Sequence, residues 1–320
     1  MTLLLQLSID KTLLNMLKIN LITKYVRWLT PYGVVMWHRQ KVQEKKERAF
    51  FEKKREIKEY FFNLNYAEQE QEVVEVMEYL KKYGFSLFPY QFARNYHKTD
   101  IDVFYDKSTG TRYVVHKNRR LYFPDGWSID QVQTYYNGLS IEQDEHSPHR
   151  YETDDFTVRD GDVIADIGAA EGIWALENIE KASKAYLFEC EPAWISALRK
   201  TFAPWKEKTV IVNKYVSNTS DEKFVALDHF FDGHPIHFIK ADIEGMELKM
   251  LEGSKTLFQR DERLKILLST YHQEFDAIIL KEFLEQNGFT TEYSKGYMLF
   301  IYDNNLKPPY LRRGLIRAKK

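Results

Sequence analysis

Residues 163–172 constrain the fold more than any other stretch of the sequence. They predict a strand, a turn and the start of a helix. An apolar run at residues 163–167 contains one acid, Asp166, and glycines follow at positions 168 and 172. Gly168 allows a tight turn after the strand, and Gly172 leaves room where a ligand or the sheet comes close. The spacing is typical of a strand-to-helix turn that binds nucleotides.

This turn lacks the middle glycine of a dinucleotide-binding loop. Ala170 stands where the G-x-G-x-x-G pattern has glycine, and Asp166 would repel a pyrophosphate. An acid instead suits a cationic ligand such as S-adenosylmethionine, whose sulfonium and ammonium groups are both positive. The turn on its own is also compatible with a close helix–sheet contact that binds no ligand.

Further apolar strands are predicted at residues 184–189, 210–215, 237–242 and 264–271, separated by helical or loop stretches. This alternation indicates parallel strands joined by crossovers. Glu189 ends the second strand about 20 residues after the turn, the distance at which a carboxylate reaches ribose hydroxyls. Glu191 is a second candidate, although next to Pro192 it can simply begin the following helix.

A hairpin is predicted where the alternation ends. Residues 288–293 and 297–302 have strand composition and are joined by a short turn, Ser294–Gly296. Strands joined in this way are antiparallel. The class I methyltransferase fold, a seven-stranded sheet whose last strand is antiparallel, has such an ending.

Four strings together resemble the FkbM family of S-adenosylmethionine-dependent methyltransferases. They are D-I-G-A from Asp166, L-F-E to Glu189, L-D at 227–228 and F-I-K-A-D-I-E-G-M-E at 238–247, of which the last is the most specific. The resemblance covers about residues 160–302. It implies a mostly parallel, Rossmann-like α/β fold, here with an N-terminal α+β extension. The family often has Glu-Pro directly after the position of Phe188, so Glu189 and Glu191 both remain candidates for the ribose.

The resemblance also implies S-adenosylmethionine as the cofactor and methylation of a hydroxyl, on a glycan sugar or a secondary metabolite. An N-methyltransferase and a scaffold without chemistry are the alternatives. The predicted cofactor-binding residues are Asp166, Gly168, Ala170, Gly172, Glu189 and Asp242.

Candidates for the catalytic base are Asp242, Glu244 and His272. Strand alternation points Asp242 and Glu244 the same way, with Asp242 towards the methyl donor and Glu244 towards the acceptor. Each has a structural alternative: His272 as a hydrogen-bonded residue at a strand end, and Glu244 as a charge on a helix N-terminus. Glu247, one turn further on, is expected to be solvated or structural.

Metal binding is the competing interpretation of two histidine pairs, His146-x-x-His149 and His234-x-x-His237. Neither pair has a third clear ligand in sequence. The sulfonium already supplies an electrophile, so no metal is predicted.

The amino-acid composition favours some classes of methyl acceptor and one cellular compartment over others. Lys and Arg number 46 against 47 Asp and Glu, so the net charge is −1 and the strong basic field of a nucleic-acid methylase is missing. We therefore expect a small-molecule or glycan acceptor and no nucleic acid. Cys190 is the only cysteine, which excludes a disulfide within one chain and fits a reducing, cytoplasmic location.

The predicted organisation is an N-terminal helical segment (1–65), an accessory α+β segment with a linker (66–150), a methyltransferase domain (151–304) and a basic tail (305–320). No signal peptide or transmembrane helix is predicted. An amphipathic stretch at 21–29 and a charged helix at 39–62 favour a solvated helix, with docking on the inner face of the membrane as the alternative. The linker, with His146, His149, Arg150 and Tyr151, is expected to form a lid or wall of the active site.

Overall fold

The computed structural model describes residues 32–301, 303 and 305–320. The described residues divide between two units, residues 32–59 and residues 60–320. Helix α1 (Tyr32–Asn63) contains the predicted charged helix. The predicted amphipathic stretch at 21–29 lies outside the described residues, so membrane docking stays a prediction. Among the described helices, none combines the length and the apolar character needed to cross a bilayer.

An α+β segment follows α1. Helix α2 (Gln71–Tyr83) precedes a three-stranded antiparallel sheet made of β1 (Phe104–Asp106), β2 (Thr111–His116) and β3 (Arg119–Tyr122). Helix α3 (Ile129–Glu142) begins at a capping box, in which Ser128 and Gln131 satisfy each other's backbone amides.

The larger sheet holds seven strands. In chain order they are β4 (Val163–Ile167), β5 (Lys184–Phe188), β6 (Thr209–Val212), β9 (Phe238–Ala241), β10 (Lys265–Ser269), β11 (Thr290–Tyr293) and β12 (Leu315–Lys319). Two short strands, β7 (Tyr215–Val216) and β8 (Phe224–Val225), pair separately. The connecting helices are α4 (Ile173–Asn178), α5 (Pro192–Thr201), α6 (Leu227–Phe230), α7 (Glu247–Glu252), α8 (Lys255–Arg260) and α9 (Asp276–Gln286).

The strand order across this sheet is β11-β12-β10-β9-β4-β5-β6. Strands β10, β9, β4, β5 and β6 run parallel to one another, and β12 is antiparallel to both β10 and β11. This is the order of the class I methyltransferase fold, so the predicted fold class is confirmed. Strand order reverses between β4 and β9, and ligands of open α/β sheets bind at such a reversal, beside the carboxyl ends of the strands.

The predicted hairpin partner at 297–302 is wrong. Met298 forms only an isolated bridge to Arg312, and the backbone amides of Gly296, Tyr297 and Leu299 bind the accessory segment instead. Gly296 N–H donates to Glu72, and Leu299 N–H donates to the carbonyl of Leu87. The antiparallel strand is β12, whose residues sequence analysis assigned to the basic tail.

Burial explains why β12 belongs in the sheet. Leu315, Ile316 and Ala318 have no exposed surface, and Arg317 is also buried. The Arg317 guanidinium donates to the carbonyls of Arg150 and Tyr151, which satisfies a charge that sequence alone suggests to be solvated. Five arginines and lysines between residues 312 and 320 obscure the apolar residues of this strand in the sequence.

Two hydrophobic clusters cover the two faces of the sheet. One joins Ile164, Leu187 and Phe238 to residues of the accessory segment, among them Leu121 and Phe123. The other contains Ile167, Ile239 and Ile266 together with residues of α8 and α9. Asp166 lies two residues after Ile164 and thus on the face that the accessory segment covers.

Candidate active site

The turn after β4 has an unusual backbone. Gly168, Ala170 and Gly172 have φ angles of 70°, 45° and 78°. A Cβ added to Gly168 would lie 2.1 Å from the carbonyl oxygen of Asp242, so this glycine lets β4 and β9 continue side by side past their ends. At Gly172 an added Cβ would lie 2.7 Å from Leu198 of α5. The second glycine therefore serves helix packing.

Asp166 is buried and paired. Its Oδ1 atom lies 3.0 Å from Nζ of Lys240, its register partner on β9, and only 1% of the residue is exposed. Lys240 Nζ also donates to the carbonyl of Gly168. Burial lowers the pKa of Lys240, but the nearby carboxylates of Asp166 and Asp242 outweigh burial and raise it. The charge of Asp166 is thus offset inside the protein, and the attraction for a cationic ligand expected from it has to come from other acids.

Glu189 lies directly against the turn after β4. Its Oε2 atom accepts the backbone N–H of Ala170 at 2.8 Å, and its Oε1 atom accepts the N–H groups of Cys190 and Glu191, each at 2.7 Å. Glu191 is exposed and occupies the cap position of α5 without a side-chain cap bond, and Pro192 starts the helix as predicted. Of the two acids, Glu189 is the one that the backbone holds next to the glycine turn.

Asp242 follows β9 and lies among three other side chains of the site. Its Oδ1 atom lies 3.3 Å from Nε2 of His272 and 3.4 Å from the hydroxyl of Tyr271, and its Oδ2 atom lies 3.6 Å from Nε2 of His149. Burial raises the pKa of Asp242, but the His149 imidazole and the charge of Lys240 outweigh burial and hold the pKa well below its usual range. Asp242 is therefore a carboxylate at neutral pH.

His272 lies between two carboxylates. Its Nδ1 atom is 3.2 Å from Oε1 of Glu247, and its Nε2 atom faces Asp242. Burial lowers the pKa of His272, but the carboxylates of Glu247 and Asp242 raise it above its usual value. Glu247 is 1% exposed, so the part of the expectation that placed it in solvent is wrong. Its Oε1 atom also accepts the backbone N–H of Ile243.

Glu244 is separated from this group. The residue is exposed, and its φ of 54° ends the strand alternation that would have aligned its side chain with that of Asp242. Asp242 and His272 are thus brought together, while Glu244 lies at the rim.

The linker before β4 reaches the site through one of its histidines. His149 is 2% exposed and contacts Asp242, with its Nδ1 atom 4.0 Å from Oε2 of Glu142. His146 is exposed and lies beside Asp144. In the second predicted pair, His237 Nδ1 accepts the backbone N–H of Val163, a structural role.

Glu171 is a further buried acid of the site that the sequence did not single out. It is 5% exposed and accepts a hydrogen bond from the hydroxyl of Tyr135 on α3 at 2.9 Å. Burial raises its pKa to about 7, against the opposing effects of its hydrogen bonds and of Lys240. The glutamate is part of the turn sequence, but its burial depends on a helix that precedes it by some 30 residues. No local pattern reveals that contact.

Comparison with known proteins adds the family. Residues 214–291 match the family model described as the methyltransferase FkbM domain. This region contains Asp242, Glu244, Glu247 and His272. No curated protein sequence matches the chain.

Solved structures that are similar to parts of this chain include two methyltransferases and an rRNA methylase. Methyltransferase FkbM from Methylobacillus flagellatus KT is 15% identical, with a TM-score of 0.41; the match covers 61% of this chain and 61% of that one, less than two thirds of its length. Precorrin-6y C5,15-methyltransferase from Geobacter metallireducens GS-15 is 18% identical, with a TM-score of 0.35 and coverage of 51% and 82%. An rRNA methylase from Streptococcus thermophilus is 17% identical, with a TM-score of 0.36 and coverage of 51% and 89%. The match over residues 214–291 confirms the predicted resemblance to the FkbM methyltransferase family in that part of the chain.

Proposed function

We propose that this chain transfers a methyl group from S-adenosylmethionine to a hydroxyl group on a glycan sugar or a secondary metabolite. The observation that carries the proposal is the reversal of strand order between β4 and β9, with Asp242 and His272 at the carboxyl edge beside it. Ligands of open α/β sheets bind at such an edge. The choice of an oxygen acceptor comes from the family resemblance.

The residues around the glycine turn fit the donor. The carboxylate of Glu189 accepts three backbone N–H groups and has about four acceptor positions, so one is left for a ribose hydroxyl. Glu189 and Asp242 are acids, the sign that suits a sulfonium and an ammonium group. In this proposal Gly168, Ala170 and Gly172 shape the turn. Asp166 positions Lys240 and does not touch the donor.

Asp242 and His272 are assigned to the acceptor. The sulfonium supplies an electrophilic methyl carbon. The acceptor oxygen forms the new C–O bond as the S–C bond breaks, and its proton passes to the carboxylate–imidazole pair. The products are a methyl ether and S-adenosylhomocysteine. Holding the three reacting atoms in line provides most of the acceleration in such a displacement. Glu244 at the rim is assigned to acceptor contacts.

Donor binding is the first test. Titration calorimetry with S-adenosylmethionine and with S-adenosylhomocysteine should show binding of both, and Glu189→Ala should abolish it. Glu191→Ala is the matched control because Glu191 is adjacent but exposed, and it should bind as the unaltered chain does. Absence of binding to the unaltered chain would favour a scaffold protein and contradict the proposal.

Methyl transfer is the second test. Incubation with labelled donor and lysate glycans or metabolites should give a new methyl ether. Asp242→Asn and His272→Gln should lower turnover while donor affinity is largely kept. Label recovered on nitrogen would replace the proposal by an N-methyltransferase, and label on added RNA would contradict the expectation drawn from the net charge.

A further inference from the structure

Three side chains of types that can bind metal ions lie close together at the carboxyl edge of the sheet. One ligand atom from each of Asp242, Glu247 and His272 lies within 4.8 Å of the other two, and no other three His, Cys, Asp or Glu residues do so within residues 32–301, 303 and 305–320. We propose that this trio is a binding site for one divalent first-row cation. The inference concerns binding alone and stands whether or not the chain transfers methyl groups.

The spacing of the trio is close to that of a coordination shell. Ligand atoms about 2.1 Å from a tetrahedral cation are separated from one another by about 3.4 Å. The two contacts of His272 involve different ring nitrogens, with Nε2 at 3.3 Å from Asp242 and Nδ1 at 3.2 Å from Glu247. One ligand atom from each of the three residues lies within 4.8 Å of the others, so a carboxylate oxygen must approach by up to about 1.4 Å to reach the tetrahedral spacing. The ring can offer one nitrogen to the cation while the other keeps its carboxylate, the arrangement that usually orients ligand histidines.

Glu247 provides independent support. It is 1% exposed, and its Oε2 atom has no hydrogen-bond partner among the described residues. A buried carboxylate oxygen without a donor carries a large desolvation cost. A cation between Glu247 and Asp242 would remove that cost.

The local charge also calls for a cation. Lys240, the buried lysine of the site, is paired with Asp166 at 3.0 Å. In the described part of the chain, the side chains that pair with Asp242 and Glu247 within 4.0 Å are the imidazoles of His149 and His272. A divalent ion balances two carboxylates and leaves the imidazole neutral, the form that binds metals.

The three ligands are held by different rigid elements. Asp242 follows β9, Glu247 is the first residue of α7, and His272 follows β10. Mixed carboxylate and imidazole ligands suit Mn²⁺, Fe²⁺ and Zn²⁺ better than Mg²⁺ or Ca²⁺, which prefer oxygen alone. Mn²⁺ and Zn²⁺ are thus the probes of choice. Neither histidine pair suggested by the sequence belongs to the trio.

The test measures metal directly. Protein stripped with EDTA and desalted is titrated with Mn²⁺ followed by electron paramagnetic resonance, and with Zn²⁺ in competition with a chromophoric chelator. We expect one equivalent of each ion. Glu247→Gln and His272→Gln should each weaken binding at least about tenfold. Circular dichroism and thermal melting in EDTA check that each variant is folded. If one of these variants is unfolded, the variant Asp242→Asn is measured in its place.

His146→Gln is the control variant, because His146 lies 3.2 Å from Asp144 but is largely exposed. It should bind both ions as the unaltered protein does. Failure of the stripped protein to bind an equivalent of either ion would overturn the proposal. So would undiminished binding by a folded Glu247→Gln or His272→Gln variant. Donor titration of the same samples reports separately on the proposed methyl transfer.

Discussion

Replacing Lys240 by Met tests the buried ion pair between β4 and β9. At 3.0 Å and an effective dielectric constant of about 20, two unit charges attract by about 5.5 kcal/mol. Removing one partner of a buried pair costs about 3–5 kcal/mol, because the other charge stays buried without compensation. We therefore expect Lys240→Met to lower the free energy of unfolding by about 3–5 kcal/mol. Adding Asp166→Asn removes the stranded charge.

Urea denaturation at pH 7, with linear extrapolation, measures the four proteins of this double-mutant cycle. The double variant should recover at least about half of the stability that Lys240→Met loses. Lys249→Met is the control, because Lys249 forms an exposed pair with Glu252 and should change stability by less than about 1 kcal/mol. A loss below about 1 kcal/mol for Lys240→Met, or strict additivity in the cycle, would refute the assignment of a buried pair.

Three further predictions concern stability. Burial raises the pKa of Glu171 to about 7, so the free energy of unfolding falls by up to about 3 kcal/mol as pH rises from 4.5 to 7. The variant Glu171→Gln should not show this fall, and urea denaturation at pH 5 and pH 8 measures the difference. Glu177, paired with His116 and Lys117, has a pKa lowered to about 2 despite its burial. Its stabilisation, up to about 3 kcal/mol, is therefore present above pH 4.5 and lost towards pH 2, and the difference from Glu177→Gln in acid titrations followed by circular dichroism should vanish there. Gly168→Ala should cost at least about 2 kcal/mol in thermal melts, because the added Cβ meets the carbonyl of Asp242 at a positive φ.

Contrary results are specific for each of these variants. Equal stabilities of Glu171→Gln and the unaltered protein at pH 8 would show that Glu171 is not buried as described. If Glu177→Gln changes the stability by the same amount at every pH, the ion pairs of Glu177 do not stabilise the protein as described. A neutral Gly168→Ala substitution would mean that β4 and β9 separate beyond their ends.

The parallel strands could be predicted from sequence because each is a largely apolar run, which in β4, β9 and β10 is buried on both faces. Strand β12 could not, since its apolar residues alternate with arginines and lysines and its role depends on the gap between β10 and β11. The competing hairpin had a local glycine turn in its favour, but the tertiary hydrogen bonds of Gly296 and Leu299 to the accessory segment decided otherwise.

In the site, the motif from Lys240 to Glu247 was visible in sequence, but its partners were not. Asp166 and Lys240 are 74 residues apart and meet only through the register of β4 and β9. His149 and Glu171 reach the site through the accessory segment, which has no recognisable motif. Sequence therefore indicated the residues of the candidate site better than the tertiary contacts around them.

Strand β12 also sets the order in which the sheet can be completed. Until residues 315–319 insert, β10 exposes one edge and β11 has no partner at all, since the two strands do not touch each other. Unpaired edges recruit strands from other molecules. Refolding at high concentration, or a truncation before Leu315, should thus lead to self-association. By covering the edges of β10 and β11, strand β12 protects the folded sheet from pairing with other molecules.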